Sequence, residues 1–304
     1  CIGPSETFTI TVNPTGQVDD PQDQVLCNND TTLPVTFTTD NTGGVTTYAW
    51  TNDTPGIGLA ASGDGDIDAF VAVNTGTSPV TATITVVPTF TNQDVSCIGP
   101  SETFTITVNP TGQVDDPQDQ VLCNNDDAIV EFTTDNTGGT TVYGWSSDLD
   151  IGFGTAGQGN INSTAVNTGT SPITATITVT PSFEGCIGPS ETFTITVNPT
   201  GQVDDPQDQV LCNNDDAIVE FTTDNTGGTT VYGWSSDLDI GFGTAGQGNI
   251  NSTAVNTGTS PITATITVTP SFEGCIGPSE TFTITVNPTG QVDDPQDQVL
   301  CNND

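Results

Sequence analysis

The sequence contains no Lys, Arg, His or Met, and its 38 Asp and Glu residues give a formal net charge of −38. Nucleic-acid binding and attraction to anionic membranes both need cationic side chains, so these partners are excluded. Ser-His-Asp, Cys-His and Schiff-base catalysis lack their base or amine. Zinc and haem sites lack His ligands. We therefore predict no enzymatic activity and no catalytic residues.

Apolar residues are also scarce. Hydrophobic residues make up 32% of the 304 residues and aromatic residues 6%. No apolar run approaches the roughly 18 residues of a membrane-spanning helix, so we predict no membrane insertion. The abundant residues are Thr, Val, Ile, Gly, Asn and Asp, which favour strands and turns over helices. The sequence begins inside a repeated pattern, and we interpret it as an excerpt of a longer chain.

A repeat organises the whole sequence. The string CIGPSETFTITVNPTGQVDDPQDQVLCNND occurs four times, beginning at Cys1, Cys97, Cys186 and Cys275. Residues 97–185 and 186–274 are identical, whereas residues 1–96 form a diverged block that is seven residues longer. A period of about 90 residues is too long for a solenoid repeat. It suits one small β-sandwich per repeat.

Apolar residues alternate with Thr or polar residues in segments 104–108, 128–132 and 173–179. A period of two with one apolar face indicates half-buried strands. Turn clusters such as NNDD, DNTGG and NTGTSP separate these segments. The fold class that we predict is all-β, with tandem Ig-like antiparallel β-sandwich domains in an extended rod. Each domain has one core Trp in its third strand, namely Trp50, Trp145 and Trp234.

The order of the expected strands A to G sets the domain boundaries. Segments QVDDPQDQVLC and SETFTITVN are the first strand, A, and the last strand, G, of each domain. A short junction containing Pro joins each G strand to the next A strand. We predict a G strand of a preceding domain at 1–15, domains at 16–111, 112–200 and 201–289, and an A strand of a following domain at 290–304.

At the level of motifs, the chain resembles a known family. The motifs CNNDTT, TTYAWTND, IGLAASG, VNTGTSPVTATITV and CIGPSETFTITVNPT are similar to the PKD-like or Ig-like repeats of very large secreted Bacteroidota proteins, such as the gliding-motility adhesins of the SprB type. The resemblance covers the whole chain. It implies type IX secretion to the cell surface and a role in adhesion, gliding or a surface filament. The chain departs from such repeats in having no basic residue.

The eight cysteines fall in the A–B and F–G turns of each repeat, and their even number and regular spacing indicate disulfides. In an Ig-type sandwich these turns lie at opposite ends, roughly 33 Å apart, whereas a disulfide needs Cα atoms within about 7 Å. The preferred scheme is therefore interdomain: Cys27–Cys186 and Cys123–Cys275, with partners of Cys1, Cys97, Cys212 and Cys301 outside the sequence. The alternative is intradomain: Cys27–Cys97, Cys123–Cys186 and Cys212–Cys275. Free thiols are a third option.

Acidic residues cluster beside each domain junction, where carboxylate oxygens suit Ca²⁺. The candidate ligands are Asp19, Asp20, Asp23, Asp115, Asp116, Asp119, Asp204, Asp205 and Asp208. Asp64, Asp66 and Asp68 form a further alternating set, and Asp293 begins another copy of the cluster. The preferred interpretation is a solvated acidic surface that keeps the chain soluble. No cofactor is required, and Ca²⁺ remains the alternative.

Four Asn-x-Ser/Thr triplets are candidate glycosylation sites, at Asn29, Asn52, Asn162 and Asn251. The function that we predict is a structural stalk or filament of a secreted bacterial surface adhesin, located outside the cell. Its partners would be neighbouring repeats of the same chain and other copies in a fibre. A glycan- or ligand-binding Ig-like module and a Ca²⁺-rigidified extender are the alternatives.

Overall fold

The structure, a computed structural model, describes residues 2–299. Three sandwiches follow one another along this range, and each is built from the strands of one repeat. The first contains β1 (Gln24–Cys27), β2 (Val45–Asn52), β3 (Ser62–Asp64), β4 (Val80–Asn92), β5 (Val95–Ile98) and β6 (Glu102–Asn109), with a 3-10 helix at Pro55–Ile57. The second contains β7 (Gln120–Cys123), β8 (Asp127–Val130), β9 (Thr141–Ser147), β10 (Ala156–Gln158), β11 (Ile161–Thr164), β12 (Ile173–Phe183), β13 (Cys186–Ile187) and β14 (Glu191–Asn198). The third contains β15 (Gln209–Cys212), β16 (Asp216–Val219), β17 (Thr230–Ser236), β18 (Ala245–Gln247), β19 (Ile250–Thr253), β20 (Ile262–Phe272), β21 (Cys275–Ile276) and β22 (Glu280–Asn287).

Each sandwich has a large sheet. In the second sandwich its strand order is β10-β9-β12-β14-β7, and β13 pairs with the far end of β12. The smaller sheet is the antiparallel pair β8–β11. The all-β Ig-like class expected from the alternating pattern is therefore confirmed. The short strand β10 pairs with β9 and so belongs to the large sheet.

One pairing departs from a purely antiparallel sandwich. Strand β7 runs parallel to β14, with Cys123 opposite Asn198 in the register. The same parallel pairing joins β1 to β6 and β15 to β22. It arises because the first and last strands of a sandwich are separated by six reversals of direction, so both run towards the same end. The first and last strands of every sandwich therefore end at the same pole of the domain.

The apolar faces of the two sheets enclose one core in each sandwich. In the second, Val130 of β8 packs with Ile177 of β12 and Ile195 of β14 in one cluster. Thr residues at the intervening positions of β12 and β14 lie on the outer face and are exposed or half-buried. The Thr174 and Thr196 hydroxyls are 2.8 Å apart across this face. Alternation of apolar residues with Thr thus determines which face of each strand is buried.

The first sandwich pairs its small sheet more weakly. Two isolated bridges, Thr31 with Val71 and Val35 with Ile67, replace the continuous pairing seen in the other sandwiches. Pro34 lies beside the second bridge and has no N–H to donate to a ladder. Residues 2–12 form no strand, because a G strand needs the neighbouring strands of its own sandwich. Residues 290–299 likewise form none.

Candidate functional site

Successive sandwiches meet at a joint that gathers four positions of the chain. We call Cys27, Asn109, Gly112 and Cys186 the first joint. Cys27 forms a disulfide with Cys186, and their Cα atoms are 5.4 Å apart. Asn109 lies opposite Cys27 where β1 and β6 end, and the Gly112 N–H donates to the Cys186 carbonyl at 2.9 Å. The exit of the first sandwich and the entry of the second are therefore fixed together.

The second joint repeats this arrangement with Cys123, Asn198, Gly201 and Cys275. Cys123 and Cys275 form a disulfide with the same Cα separation of 5.4 Å. Asn198 lies opposite Cys123 in the β7–β14 register, and the Gly201 N–H donates to the Cys275 carbonyl at 3.0 Å. Because the sequence around both joints is repeated, the geometry is repeated too.

Local sequence shapes the turn that presents each disulfide. After β7, the Cys123 N–H donates to the Asp126 carboxylate at 2.9 Å, and the Asp126 N–H donates back to the Cys123 carbonyl at 3.0 Å. Asn125 within this turn has φ 73°, a left-handed conformation that Asn tolerates better than most residues. The CNND motif therefore ends the strand and directs Cys123 towards the next domain.

A second contact joins the same neighbours through different loops. The Thr137 N–H of the second sandwich donates to the Thr77 carbonyl of the first at 2.9 Å. The Thr226 N–H of the third donates to the Thr170 carbonyl of the second at 2.8 Å. These residues belong to the DNTGG and NTGTSP turn clusters. Each pair of sandwiches is thus connected by the polypeptide, a disulfide and a backbone hydrogen bond.

Both disulfides of the structure are the pairs of the interdomain scheme. The intradomain pairs Cys27–Cys97, Cys123–Cys186 and Cys212–Cys275 are not formed, because the two cysteines of one sandwich lie at opposite ends of it. Within residues 2–299, Cys97 and Cys212 have no disulfide partner, and Cys212 is exposed. The predictions for Cys1 and Cys301 concern positions outside the described residues.

The candidate Ca²⁺ ligands are all exposed, and several accept hydrogen bonds within their own sandwich. Thr133 Oγ1 donates to Asp115 at 2.5 Å, and the Thr194 N–H donates to Asp119 at 2.6 Å. Asp19 and Asp204 match Asp115, and Asp23 and Asp208 match Asp119. Across residues 2–299, no group of three or more acidic, His or Cys side chains could hold a metal ion.

Asp119 continues a sheet ladder beyond the end of a strand. Its carboxylate meets the Thr194 N–H on β14 just before β7 begins to pair with that strand. This backbone hydrogen bond lowers the pKa of Asp119 below its ordinary value. Asp53 accepts from the Thr83 N–H at 2.8 Å, and that bond lowers the pKa of Asp53. These carboxylates act as structural caps, a role that no local sequence pattern indicates because the N–H partners are distant in sequence.

The alternating set Asp64, Asp66 and Asp68 does not converge on one site either. Asp66 accepts from the Phe37 N–H at 3.0 Å, while Asp64 ends strand β3. In the second and third sandwiches an Asn side chain accepts from the matching Phe N–H. The shared feature is an oxygen acceptor for the small sheet, which requires no charge and no metal.

The four glycosylation triplets differ in exposure. Asn29, Asn162 and Asn251 are exposed. The prediction at Asn52 is wrong, because this residue is 5% exposed and its side-chain amide donates to the Leu59 carbonyl at 3.1 Å. Its Oδ1 also accepts from the Thr54 N–H at 2.9 Å. The side chain of Asn52 therefore closes a buried turn and cannot carry a glycan.

The three Trp residues belong to the cores. Trp50 and Trp234 are buried, and Trp145 is partly buried against the second core. Each ring lies on the Gly of the neighbouring short strand, as Trp145 does on Gly157, where an added Cβ would lie 2.3 Å from the ring. None of the three Nε1 atoms has a hydrogen-bond partner within the described part of the chain. Packing, not polar recognition, positions these side chains.

No family model matches the chain, and no curated protein matches it. Several solved structures are similar. Mouse cadherin-23 EC22-24 is 14% identical with a TM-score of 0.38, over 90% of this chain and 98% of that one. The Sidekick-1 immunoglobulin domains 1-5 are 9% identical with a TM-score of 0.36, over 91% and 60%. Chicken CNTN1 FN1-FN3 is 12% identical with a TM-score of 0.32, over 91% and 100%. Because these scores are low, the fold rests on the strand pairing alone. Over residues 2–299 no helix is long and apolar enough to cross a membrane.

Proposed function

We propose that the chain is a structural stalk segment of a secreted bacterial surface adhesin or surface fibre. The observation that carries this proposal is the joint, at which the chain, a disulfide and a loop–loop hydrogen bond connect each pair of neighbours. A linker alone would let two domains pivot. Three separate connections resist bending between neighbouring sandwiches. A stalk that holds a tip away from a cell requires such stiffness.

Composition supports an extracellular position. Disulfides persist in oxidising environments outside the cytosol. A net charge of −38 with no cation makes parallel chains repel and keeps them soluble. The chain repeats one type of sandwich and has no cationic side chain, so we assign it no catalysis, no cofactor and no recognition of nucleic acid. Its partners are the neighbouring repeats. Membership of the gliding-motility adhesins rests on the motif resemblance and is part of the proposal.

Electron microscopy with and without reductant tests the stalk. We expect straight particles of uniform length when both disulfides are intact. Reduction should widen the distribution of angles between sandwiches, while circular dichroism keeps its β signal because each core stays closed. Cys97→Ser with Cys212→Ser is the matched control and should match the wild type. Unchanged straightness together with loss of the β signal on reduction would contradict the proposal.

A glycan array separates the stalk from a glycan-binding module. The stalk predicts no binding of any glycan above background, because its proposed role needs only the contacts between neighbouring sandwiches. Specific binding that persists when the two disulfides are reduced would favour the ligand-binding alternative.

A further inference from the structure

The two disulfides join positions far apart in sequence. Cys27 and Cys186 are separated by 159 residues, and Cys123 and Cys275 by 152. Both covalent loops contain the middle of the second sandwich, so the loops overlap. Tension on the ends of the chain therefore does not pass through the sandwiches one after another.

Three chain segments connect one disulfide to the other, namely 27–123, 123–186 and 186–275. The first carries most of the first sandwich but returns to the first joint, since Asn109 lies opposite Cys27. Only residues 109–123 of that segment cross from joint to joint. The segment 186–275 reaches the second joint at Gly201, whose N–H bonds the Cys275 carbonyl. Only residues 186–201 of it cross.

These two crossing pieces have little slack. Each is about 15 residues long, and a chain of that length spans at most about 50 Å when fully extended. Both already contain extended strands, β7 and β14, which pair in parallel along the second sandwich. The third connection, 123–186, is the body of that sandwich. The joint-to-joint distance can grow only if all three connections yield.

We propose that the interdomain disulfides form a mechanical interlock, in which no sandwich lengthens the chain under tension unless its neighbours unfold with it. If the second sandwich opens alone, residues 109–123 and 186–201 still hold its ends. If the first sandwich opens alone, the second sandwich and residues 186–201 still hold the two joints at their original distance. This proposal concerns only the response to tension and stands whether or not the chain serves an adhesin.

Without the disulfides the sandwiches lie in series. Each then unfolds independently, and about 90 residues released from one sandwich extend by about 300 Å. With both disulfides intact, the distance between the joints increases only after all three sandwiches have opened. The gain between the joints is then limited by residues 123–186, which span about 200 Å at most.

Single-molecule stretching of the whole chain, held through terminal handles without thiol chemistry, tests the interlock. In the oxidised protein we expect no step of about 300 Å. In reductant we expect three such steps. In the variant Cys123→Ser with Cys275→Ser, the remaining disulfide bypasses the first two sandwiches. Only the third sandwich then bears the tension in series, so we expect one such step. Cys27→Ser with Cys186→Ser frees only the first and should also give one.

The control is Cys97→Ser with Cys212→Ser, which alters no disulfide of the structure and should behave as the oxidised wild type. Mass spectrometry before stretching verifies that both disulfides are present. Independent single-sandwich steps in molecules that carry both disulfides would overturn the interlock. The oxidised and reduced arms use the same wild-type chain, so the comparison holds even if a variant folds poorly. A straight rod that shows such steps would retain the stalk and lose only the interlock.

Discussion

The Gly112 N–H donates to the Cys186 carbonyl at 2.9 Å, which ties the entry of the second sandwich to the hairpin that carries its disulfide. Gly188 of the same hairpin lies against Gly112, and a Cβ added to Gly188 would lie 1.7 Å from the Gly112 carbonyl oxygen. No side chain fits that space. The linker is therefore docked by backbone-to-backbone contact, which only glycine allows.

Replacing Gly188 with Ala should undock the linker without opening the sandwich. A Cβ added to its counterparts Gly99 and Gly277 would lie at the same distance from the carbonyl oxygens of Gly16 and Gly201. Peptides from the repeated segments have equal masses and cannot be told apart, so all three glycines are replaced together. Loss of a hydrogen bond worth about 1 kcal/mol should speed amide exchange in the NPTGQ linker about fivefold. Hydrogen-exchange mass spectrometry measures this. Unchanged protection would contradict the docking.

Gly157 should also reject a side chain, for a different reason. Its added Cβ would lie 2.3 Å from the Trp145 ring, and Gly246 stands in the same relation to Trp234. Replacing both with Ala should destabilise each core by about 1–3 kcal/mol through overpacking. Scanning calorimetry should record a Tm lower by several degrees. Gly144→Ala with Gly233→Ala is the control, because an added Cβ at either position meets nothing within 4 Å and Ala49 holds the equivalent place in the first sandwich. Equal effects of the two changes would refute this packing argument.

Alternation of apolar residues with Thr was enough to predict the central strands. Segments 104–108 and 173–179 both lie in strands of the large sheets, since burying one face leaves a period of two in the sequence. The parallel direction of β7 and β14 carries no such periodic signal, because it follows from the number of reversals between them.

Side-chain roles were harder to predict than strands. In the sequence, nothing distinguishes Asp119 from any other exposed acidic residue. Its function as a ladder cap depends on a Thr194 N–H that is distant in sequence. Asn52 fits the glycosylation triplet, yet tertiary packing buries it. Short-range motifs do not contain the partner that decides each case.

Acid should weaken the caps formed by Asp53 and Asp119. It should act likewise on two turn carboxylates, Asp150, which accepts from the N–H groups of Gly152 and Gly154, and Asp239, which accepts from those of Gly241 and Gly243. Backbone hydrogen bonds lower the pKa of each carboxyl below the ordinary 3.8. A lowered folded-state pKa gives stability that is present above the unfolded-state pKa and is lost as pH falls through the folded-state pKa. Thermal unfolding followed from about pH 5 to about pH 2 should therefore show the loss of this contribution.

Asp119→Asn isolates this effect from the general relief of charge repulsion on acidification. The Asn oxygen still accepts from the Thr194 N–H but carries no charge, so the variant lacks the pH-dependent part. The Tm difference between wild type and Asp119→Asn should shrink towards zero as pH falls. Asp116→Asn is the control, because that side chain is exposed and the Thr194 N–H bonds Asp119 instead. A difference that grows on acidification would reverse the assigned sign.

Calcium should stabilise the chain only as a screening ion. The carboxylates beside the joints are spread over backbone and Thr partners, and residues 2–299 contain no group of three that could hold a metal. The 38 carboxylates face no cation, so salt that shortens the range of repulsion, to about 10 Å at 0.1 M, should raise Tm.

Calorimetry in CaCl₂, MgCl₂ and NaCl at matched ionic strength separates ionic screening from specific Ca²⁺ binding. We expect Ca²⁺ and Mg²⁺ to act alike and a chelator at constant salt to leave Tm unchanged. A rise specific to Ca²⁺ at low concentration, abolished by replacing Asp115, Asp116 and Asp119 with Asn, would restore the calcium site that the acidic clusters suggest.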